Sequence, residues 1–405
     1  MGIFTNITSR LARRRELIVG PKDEVLRGQQ LLDFGVNVNN RNAMNLTAFF
    51  AGIRIIAENV ASLPKEVKKF DAGTGYVSDP RHQAFHAINI RPNSYTNVFD
   101  FWECIATWVI GWGDAYAIIK DTPDGIELHQ AHPSGVDIRI VNGRKYYKVQ
   151  MADPDLSWLN GIYSDEEILH FMLITTDGIH GLNPVIANAI ALGKALATEK
   201  FAAEFFRKGG NIRAVLETEG NLGDEDYERF TKHWAESANN YDTPLLEYGI
   251  KYKPLSVNPV AAQLIQSETL SIQDIARILN IPPHLLGELS HATYSNIEHQ
   301  TIQFVKYTLR PLVKRLEVEL EAKLFLPREI GRYSVKFVLD GLLRGDTQAR
   351  STYYHNAILD GYMSRNEVRE IEGLERKDGL DTYLYPLNTG KVGEEEENDD
   401  SKTKE

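Results

Sequence analysis

The chain has 405 residues, of which 42% are hydrophobic and 25% charged, an ordinary soluble composition with room for two or three cores. Its net charge of -11 argues against tight duplex binding of the usual kind, which neutralises phosphates with clustered Lys and Arg. The single cysteine, Cys104, excludes an intrachain disulfide framework, and neither a membrane span nor the apolar core of a signal peptide is visible, so a reducing cytoplasmic setting and no membrane partner are expected.

Residues 1–43 contain a basic cluster from Arg10 to Arg15 and a polar stretch without periodicity, which predicts a flexible N-terminal arm. From Leu46 onward, Phe49, Phe50, Ile53, Ile56, Ala57 and Val60 recur at helical spacing until Pro64. A second helix is expected after Thr96 as cap, with Phe99, Trp102, Ala106 and Val109 on one face and Gly111 and Gly113 as stop. Strands follow: AYAIIKD and IELHQAH flank the turn TPDG, and VDIRIV and RKYYKVQ flank Asn142-Gly143, a pair that tolerates the positive φ of a tight hairpin.

Asn183 and Pro184 open a predicted helix that runs to Gly209-Gly210. Residues 211–261 read as a small inserted unit: a strand RAVLE, a helix with Tyr227, Phe230 and Trp234 inward, and a hairpin LLEYGIKYKPL. Leu264, Ile265, Ile272, Ile275, Ala276 and Leu279 then form one helical stripe that Pro282-Pro283 must end. The longest helix starts at a capping box, Ser295 with Glu298, and carries Val305, Leu309, Leu312, Leu316 and Leu320. Pro311 lies inside it and predicts a kink near Tyr307, whose carbonyl loses its donor. A strand YSVKFVLD, a helix from Asp346, a shorter one capped by Ser364 and Glu367, and an acidic tail that predicts disorder complete the chain.

Chemistry is scarce along this path. No G-x-x-x-x-G-K-[ST] phosphate loop occurs, because Gly193-Lys194 is followed by Ala195 inside a predicted helix. The pairs His82/His86 and His129/His132 lack a third metal ligand, Cys104 lacks a nearby cation, and His170 with Asp177 reads as a strand residue and a turn residue. No catalytic residue, metal site or cofactor is therefore assigned.

The run SIQDIARILNIPPHLLGELSHATYSNIEHQTIQFVKYTLRPLVKRLEVEL closely resembles the signature of phage portal proteins of the long-tailed, lambda-like branch. FFAGIRIIAENVASLPKEV, RPNSYTNVFDFWE, GDAYAIIKD, ILHFMLITTDGIHGLNP, FFRKGG, DGLLRGDTQAR and SRNEVREIEGLE resemble further blocks of that family, in the family's order. The resemblance implies an α+β portal architecture: a mixed wing over 44–184, stem helices over 185–208 and 262–281, and a small α/β clip over 209–261. A tunnel loop at 282–295, a long kinked helix and wing strand within 296–345, a reduced helical crown over 346–388 and a disordered tail over 389–405 would follow.

Such subunits form a ring, normally a dodecamer, at one capsid vertex and make the channel through which double-stranded DNA is packaged and ejected. The resemblance further implies partners in the terminase large subunit, the head-tail connector, and the major capsid and scaffold proteins, with assembly in the host cytoplasm and residence in the virion. It places Glu288, Leu289, Ser290, His291, Ala292 and Thr293 in a DNA-facing loop. Between Ala262 and Gln300, Glu268, Asp274, Glu288 and Glu298 face Arg277 alone, whereas in 185–208 Lys194, Lys200, Arg207 and Lys208 outnumber Glu199 and Glu204. A low-adhesion wall suits a sliding polyanion, since released counterions would otherwise hold it. Either Glu268, Asp274 and Arg277 or Lys194 and Lys200 would then line the channel. A packaging or DNA-modifying enzyme, or a capsid or connector protein without a conduit, are the alternatives; the first needs a nucleotide loop or clustered carboxylates.

Overall fold

A computed structural model of the chain describes residues 37–123, 125–207, 214–217, 223–239, 251–254, 258–289, 294–343 and 347–384. The apolar stripes fold as helices: α1 Asn40–Ala43, α2 Thr47–Ser62, α3 Gln83–Asn89 and α4 Val98–Trp112. In α2, Phe49, Ile53, Ile56, Ala57 and Val60 are buried while Phe50 stands 47% exposed. Asn97, not Thr96, caps α4 through its side chain and the Asp100 amide at 2.8 Å. Phe101, Trp102, Ile105, Ala106 and Val109 make the buried face of α4, and Phe99 in its first turn is exposed. Gly113 closes α4 at φ 90, against the Leu182 carbonyl, a place where any Cβ would collide. Val38 and Ala43 are buried and Asn40 donates to the Gly111 carbonyl, so the end of the predicted arm is packed rather than free.

The described strands form four antiparallel sheets, which with the helices gives the α+β class. Strands β1 Lys65–Asp71, β2 Gly75–Ser78 and β11 Tyr333–Phe337 align in the order β11-β1-β2. Strands β3 Asp114–Thr122, β4 Gly125–Ala131 and β8 Ile168–Met172 align as β4-β3-β8; β5 Val136–Val141, β6 Arg144–Val149 and β7 Gly161–Ser164 align as β5-β6-β7. Asn142 and Gly143 turn β5 into β6 at φ 53 and 77, as their chemistry predicts. Tyr116, Ile118, Tyr147, Val149, Leu159 and Ile168 form a common core of β3, β6 and β8 with the turn before β7.

Asn183 caps α5 Pro184–Ala187, but the predicted single helix breaks at Asn188, whose side chain turns back to the Pro184 carbonyl, and resumes as α6 Ala189–Arg207. That is local competition between an Asn side chain and the helical ladder. Strands β9 Ala214–Glu217 and β10 Lys251–Pro254 pair with each other alone, with α7 Asp224–Asn239 between them in sequence. Tyr227 on α7 is 63% exposed, against the inward position that its spacing predicts; the Phe230 side chain and the strand LLEYG lie outside the described residues.

Helix α8 Asn258–Leu279 buries Ile275, Ala276 and Leu279 and stops three residues ahead of the double proline. The long helix has three parts: α9 Tyr294–Phe304, a π turn Val305–Leu309 and α10 Arg310–Lys323. It starts one residue before the predicted cap, so Ser295 stands inside its first turn. Three carboxylates of α10 close two sheet edges. Glu317 accepts from the Phe337 amide at 2.9 Å and Glu321 from the Val335 amide at 3.1 Å, both on edge strand β11. Glu319, on the opposite side of the helix, accepts from the His170 amide at 2.7 Å on edge strand β8. Residues two apart on a helix point in nearly opposite directions, which is how one helix serves both edges.

The chain divides into two compact units, Met1–Phe337 and Val338–Glu405, ahead of the predicted crown boundary at 346. The second holds α11 Asp340–Leu343, α12 Thr347–Leu359 and α13 Arg365–Ile371, the last opened by the predicted Ser364–Glu367 capping box.

Candidate functional site

The segment that the sequence singles out lies between α8 and α9. Past Leu279 the chain turns through Asn280 at φ 54, a left-handed position that Asn tolerates, and Ile281 returns to the Ala276 carbonyl. Pro283–Leu286 form a 3₁₀ turn that Gly287 ends at φ 86. Glu288 is half-buried and Leu289 is 60% exposed; Ser290, His291, Ala292 and Thr293 lie outside the described residues.

The root of this loop is held at three points. Gly52 of α2 lies under it: a Cβ there would come within 2.4 Å of Leu279 Cδ1 and 2.9 Å of Ile281 Cδ1, so any larger residue would have to displace these two side chains of the loop root. His284 Nδ1 lies 2.6 Å from Gln300 Oε1 on α9. The third point is a reciprocal clasp. Pro311 has no amide to offer Tyr307, and Asn280 Nδ2 donates to the Tyr307 carbonyl at 3.0 Å, while the Thr308 hydroxyl donates to the Asn280 carbonyl. The predicted irregularity therefore sits where Pro311 places it but takes the form of a π turn, whose freed carbonyl is satisfied from the loop root. A cleft of about 480 Å³ opens beside the clasp, with Gln273, Arg277, Gln303 and Tyr307 in its wall.

The charged residues on α6 and α8 separate into two groups. Asp274 and Arg277 neutralise each other one turn apart on α8 at 2.5 Å. Glu268 of α8 and Glu199 of α6 border a cavity of about 260 Å³ together with Thr47, Ala51, Ser271 and Leu286. Burial, and secondarily the charge of Glu268, push the Glu199 carboxyl above its ordinary pKa, opposed by the Thr47 amide. Lys194 and Lys200 are both exposed on α6. Asn280, Thr308 and Gln300 escaped the sequence reading; an Asn directly after an apolar helix and before Ile-Pro-Pro is a left-handed cap signal that could have marked the first.

Several of the described histidines have structural partners. His82 Nδ1 caps α3 through the Ala84 amide at 3.1 Å, and His132 stands edge-on between Trp108 and Trp112. His170, 4% exposed, pairs with Asp114 at 2.9 Å rather than with Asp177, and stacks on Tyr116. Burial lowers its pKa against the opposing pull of Asp114. Asp177 shapes its own turn, accepting from the Ile179 and His180 amides at 2.7 and 2.9 Å. Burial pushes the Cys104 thiol up to about 12, which keeps it protonated and a poor nucleophile.

Residues 47–373 match the sequence model of the family described as phage portal protein. The chain is 27% identical over 379 residues to a probable portal protein of Streptomyces phage phiC31, covering 90% of this chain and 82% of that one. It is 25% identical over 357 residues to the portal protein of Enterobacteria phage HK97, covering 86% and 83%. Among solved structures, a chain from the neck of a native gene transfer agent particle computed with C12 symmetry shares the fold, with a TM-score of 0.56, 21% identity, and coverage of 89% of this chain and 96% of that one. A match that runs from the first turn of α2 to the end of α13 takes in all four described sheets and the rooted loop together. The chain belongs to the phage portal protein family, structural proteins of the portal vertex.

Proposed function

We propose that this chain is a non-enzymatic, ring-forming subunit at one capsid vertex of a virion, a dodecamer whose channel passes DNA during packaging and ejection. The terminase large subunit docks on it first and the head-tail connector afterwards; capsid and scaffold meet its outer wing. In this reading the wing takes 44–184 and 296–345, the stem 185–208 and 262–281, and the clip 209–261, which includes the isolated pair of β9 and β10. Residues 346–388 form the crown, and assembly takes place in the host cytoplasm.

The observation that carries the reading is the loop after α8. Its root is fixed by Gly52, His284 and the Asn280 clasp, while Leu289 already stands in solvent, a construction suited to presenting 288–293 away from a rigid support. The ring of the gene transfer agent neck supplies the symmetry. The packaging-enzyme alternative needs a nucleotide loop or a carboxylate cluster, and the sequence offers no phosphate-binding loop.

Deleting Glu288 to Thr293 tests the role of the loop. The shortened chain is expected to assemble normally, as seen by electron microscopy, and to lose packaging or retention of DNA. Full packaging by rings that lack the loop would refute a role for it on DNA.

A further inference from the structure

The long helix sorts its charges by side. The acids of α10 turn inward: Glu317 is 5% exposed, and Glu317, Glu319 and Glu321 accept strand amides as described above. The cations of the long helix from Lys306 to Arg315 turn outward, whereas Lys323 in the last turn is held against Glu319 and Asp165. Lys306, Arg310, Lys314 and Arg315 are all exposed, and no exposed residue from 299 to 323 is acidic. Ile302, Tyr307 and Val318 lie among them at 42%, 57% and 53% exposure. Ile302, Lys306, Arg310, Lys314 and Val318 follow one another at steps of four, a ridge of the kind that helices pack into grooves, about 24 Å long. Steps of four advance around an α-helix, and the wider turn at Val305–Leu309 takes back part of that drift.

We infer that this ridge is one half of the contact between neighbouring copies of the chain, received by an acidic surface of the next copy. The inference rests on the ring reading above. A ring is closed by a heterologous contact, two different patches that fit each other, and a chain with 56 acids against 45 Lys and Arg has acidic surface to offer a basic ridge. Among the described residues no carboxylate pairs with Lys306, Arg310 or Arg315, so these charges are free to meet a partner. Lys314 reaches back to Glu317 at 3.2 Å yet stays 53% exposed. A duplex is the less favoured occupant. The apolar members Ile302 and Val318 at its two ends, with Tyr307 beside it, suit burial against protein, where Tyr and Arg concentrate, and the net charge of -11 works against phosphate binding.

The test uses the full chain and the variant K306Q/R310Q/K314Q/R315Q, with K306R/K314R as the charge-keeping control. Self-association is followed by sedimentation velocity and mass photometry at low and moderate salt, and binding of a short duplex by fluorescence anisotropy. The wild type and the Lys-to-Arg variant are expected to assemble into rings, and the glutamine variant to associate at least roughly tenfold more weakly, with circular dichroism and thermal midpoint unchanged. Rings of the glutamine variant as abundant as the wild type would overturn the inference and leave the ring reading intact. A wild type that stays monomeric would remove both. Unchanged assembly with weakened duplex binding would reassign the ridge to nucleic acid.

Discussion

Lys65 offers the sharpest test of how the α2–β1 corner is held together. Its side chain is buried at 6% exposure, its ammonium donates to the Ala61 carbonyl at 2.8 Å in the last turn of α2, and the rings of Trp102 and Phe337 lie 5.6 Å away. Among the described residues no carboxylate pairs with it, and burial alone lowers its pKa from 10.5 to about 8. The unfolded chain therefore binds more protons than the folded one between pH 8 and 10.5, and stability rises with pH across that window. The shift corresponds to about 3 kcal/mol of cost at pH 7, which falls by about 2 kcal/mol on going to pH 9.5.

Lys65→Met keeps an unbranched chain against both rings and removes the charge, but strips the Ala61 carbonyl of its donor, about 1 kcal/mol. The variant is expected to be more stable than the wild type at pH 7 by about 1–2 kcal/mol, with the gain gone by pH 9.5. Thermal midpoints of both proteins at pH 7, 8.5 and 9.5, read as differences so that other titrating groups cancel, measure this. A difference that does not change with pH would refute the reasoning, because it would mean that the ammonium is not carrying an uncompensated burial cost.

Two further perturbations address the support of the loop and the seam of α10. Gly52→Ala improves helix propensity by about 1 kcal/mol but drives a methyl into Leu279 and Ile281, so a net loss of about 1–2 kcal/mol is expected by chemical denaturation; a more stable variant would show that the loop root does not rest on α2. Glu319→Ala leaves the buried His170 amide without an acceptor, whereas Glu319→Gln keeps one, so the alanine variant should be the less stable by about 1–2 kcal/mol, with faster hydrogen exchange at the His170 amide. Equal exchange in the two variants would dismiss the seam.

The sequence announces elements whose causes are local and misses those whose causes are distant. Asn142-Gly143, the Ser364–Glu367 box, Asn183 before Pro184 and Gly113 all act within a few residues, and each stands where its chemistry puts it. Helical spacing finds α2, α4, α7 and α8 but cannot say which stripe member ends in solvent: Phe50, Phe99 and Tyr227 are exposed because what covers a stripe comes from elsewhere in the chain. Of the loop, its position after Pro282-Pro283 is legible, whereas its supports join residues 27 or 28 apart, as in Asn280 to Tyr307 and Thr308 to Asn280. Gly52 meets Leu279 from the far end of the sequence, and no periodicity marks it.

Formal charge is the quantity that the sequence gives most directly, and the structure changes its meaning. Four acids against one arginine over 262–300 suggest a repelling wall, but Asp274 and Arg277 cancel within one turn, and partial burial beside Glu268 raises the pKa of the Glu199 carboxyl on the neighbouring helix. On the long helix the formal count nearly balances, yet position divides it: Glu317, Glu319 and Glu321 are consumed by strand amides, Lys323 is held against Asp165 and Glu319, and Lys306, Arg310, Lys314 and Arg315 are left to the outside. A carboxylate that accepts a buried amide is tied to the fold and lost as a surface charge. The same glutamates that lock two sheet edges to one helix therefore leave its outer face basic, so the fold and the contact proposed for neighbouring copies follow from one arrangement of the sequence E-V-E-L-E from Glu317 to Glu321. Removing a glutamate is expected to loosen the sheets, whereas removing Lys306, Arg310 or Arg315, which pair with no carboxylate among the described residues, is expected to leave them intact and act on assembly.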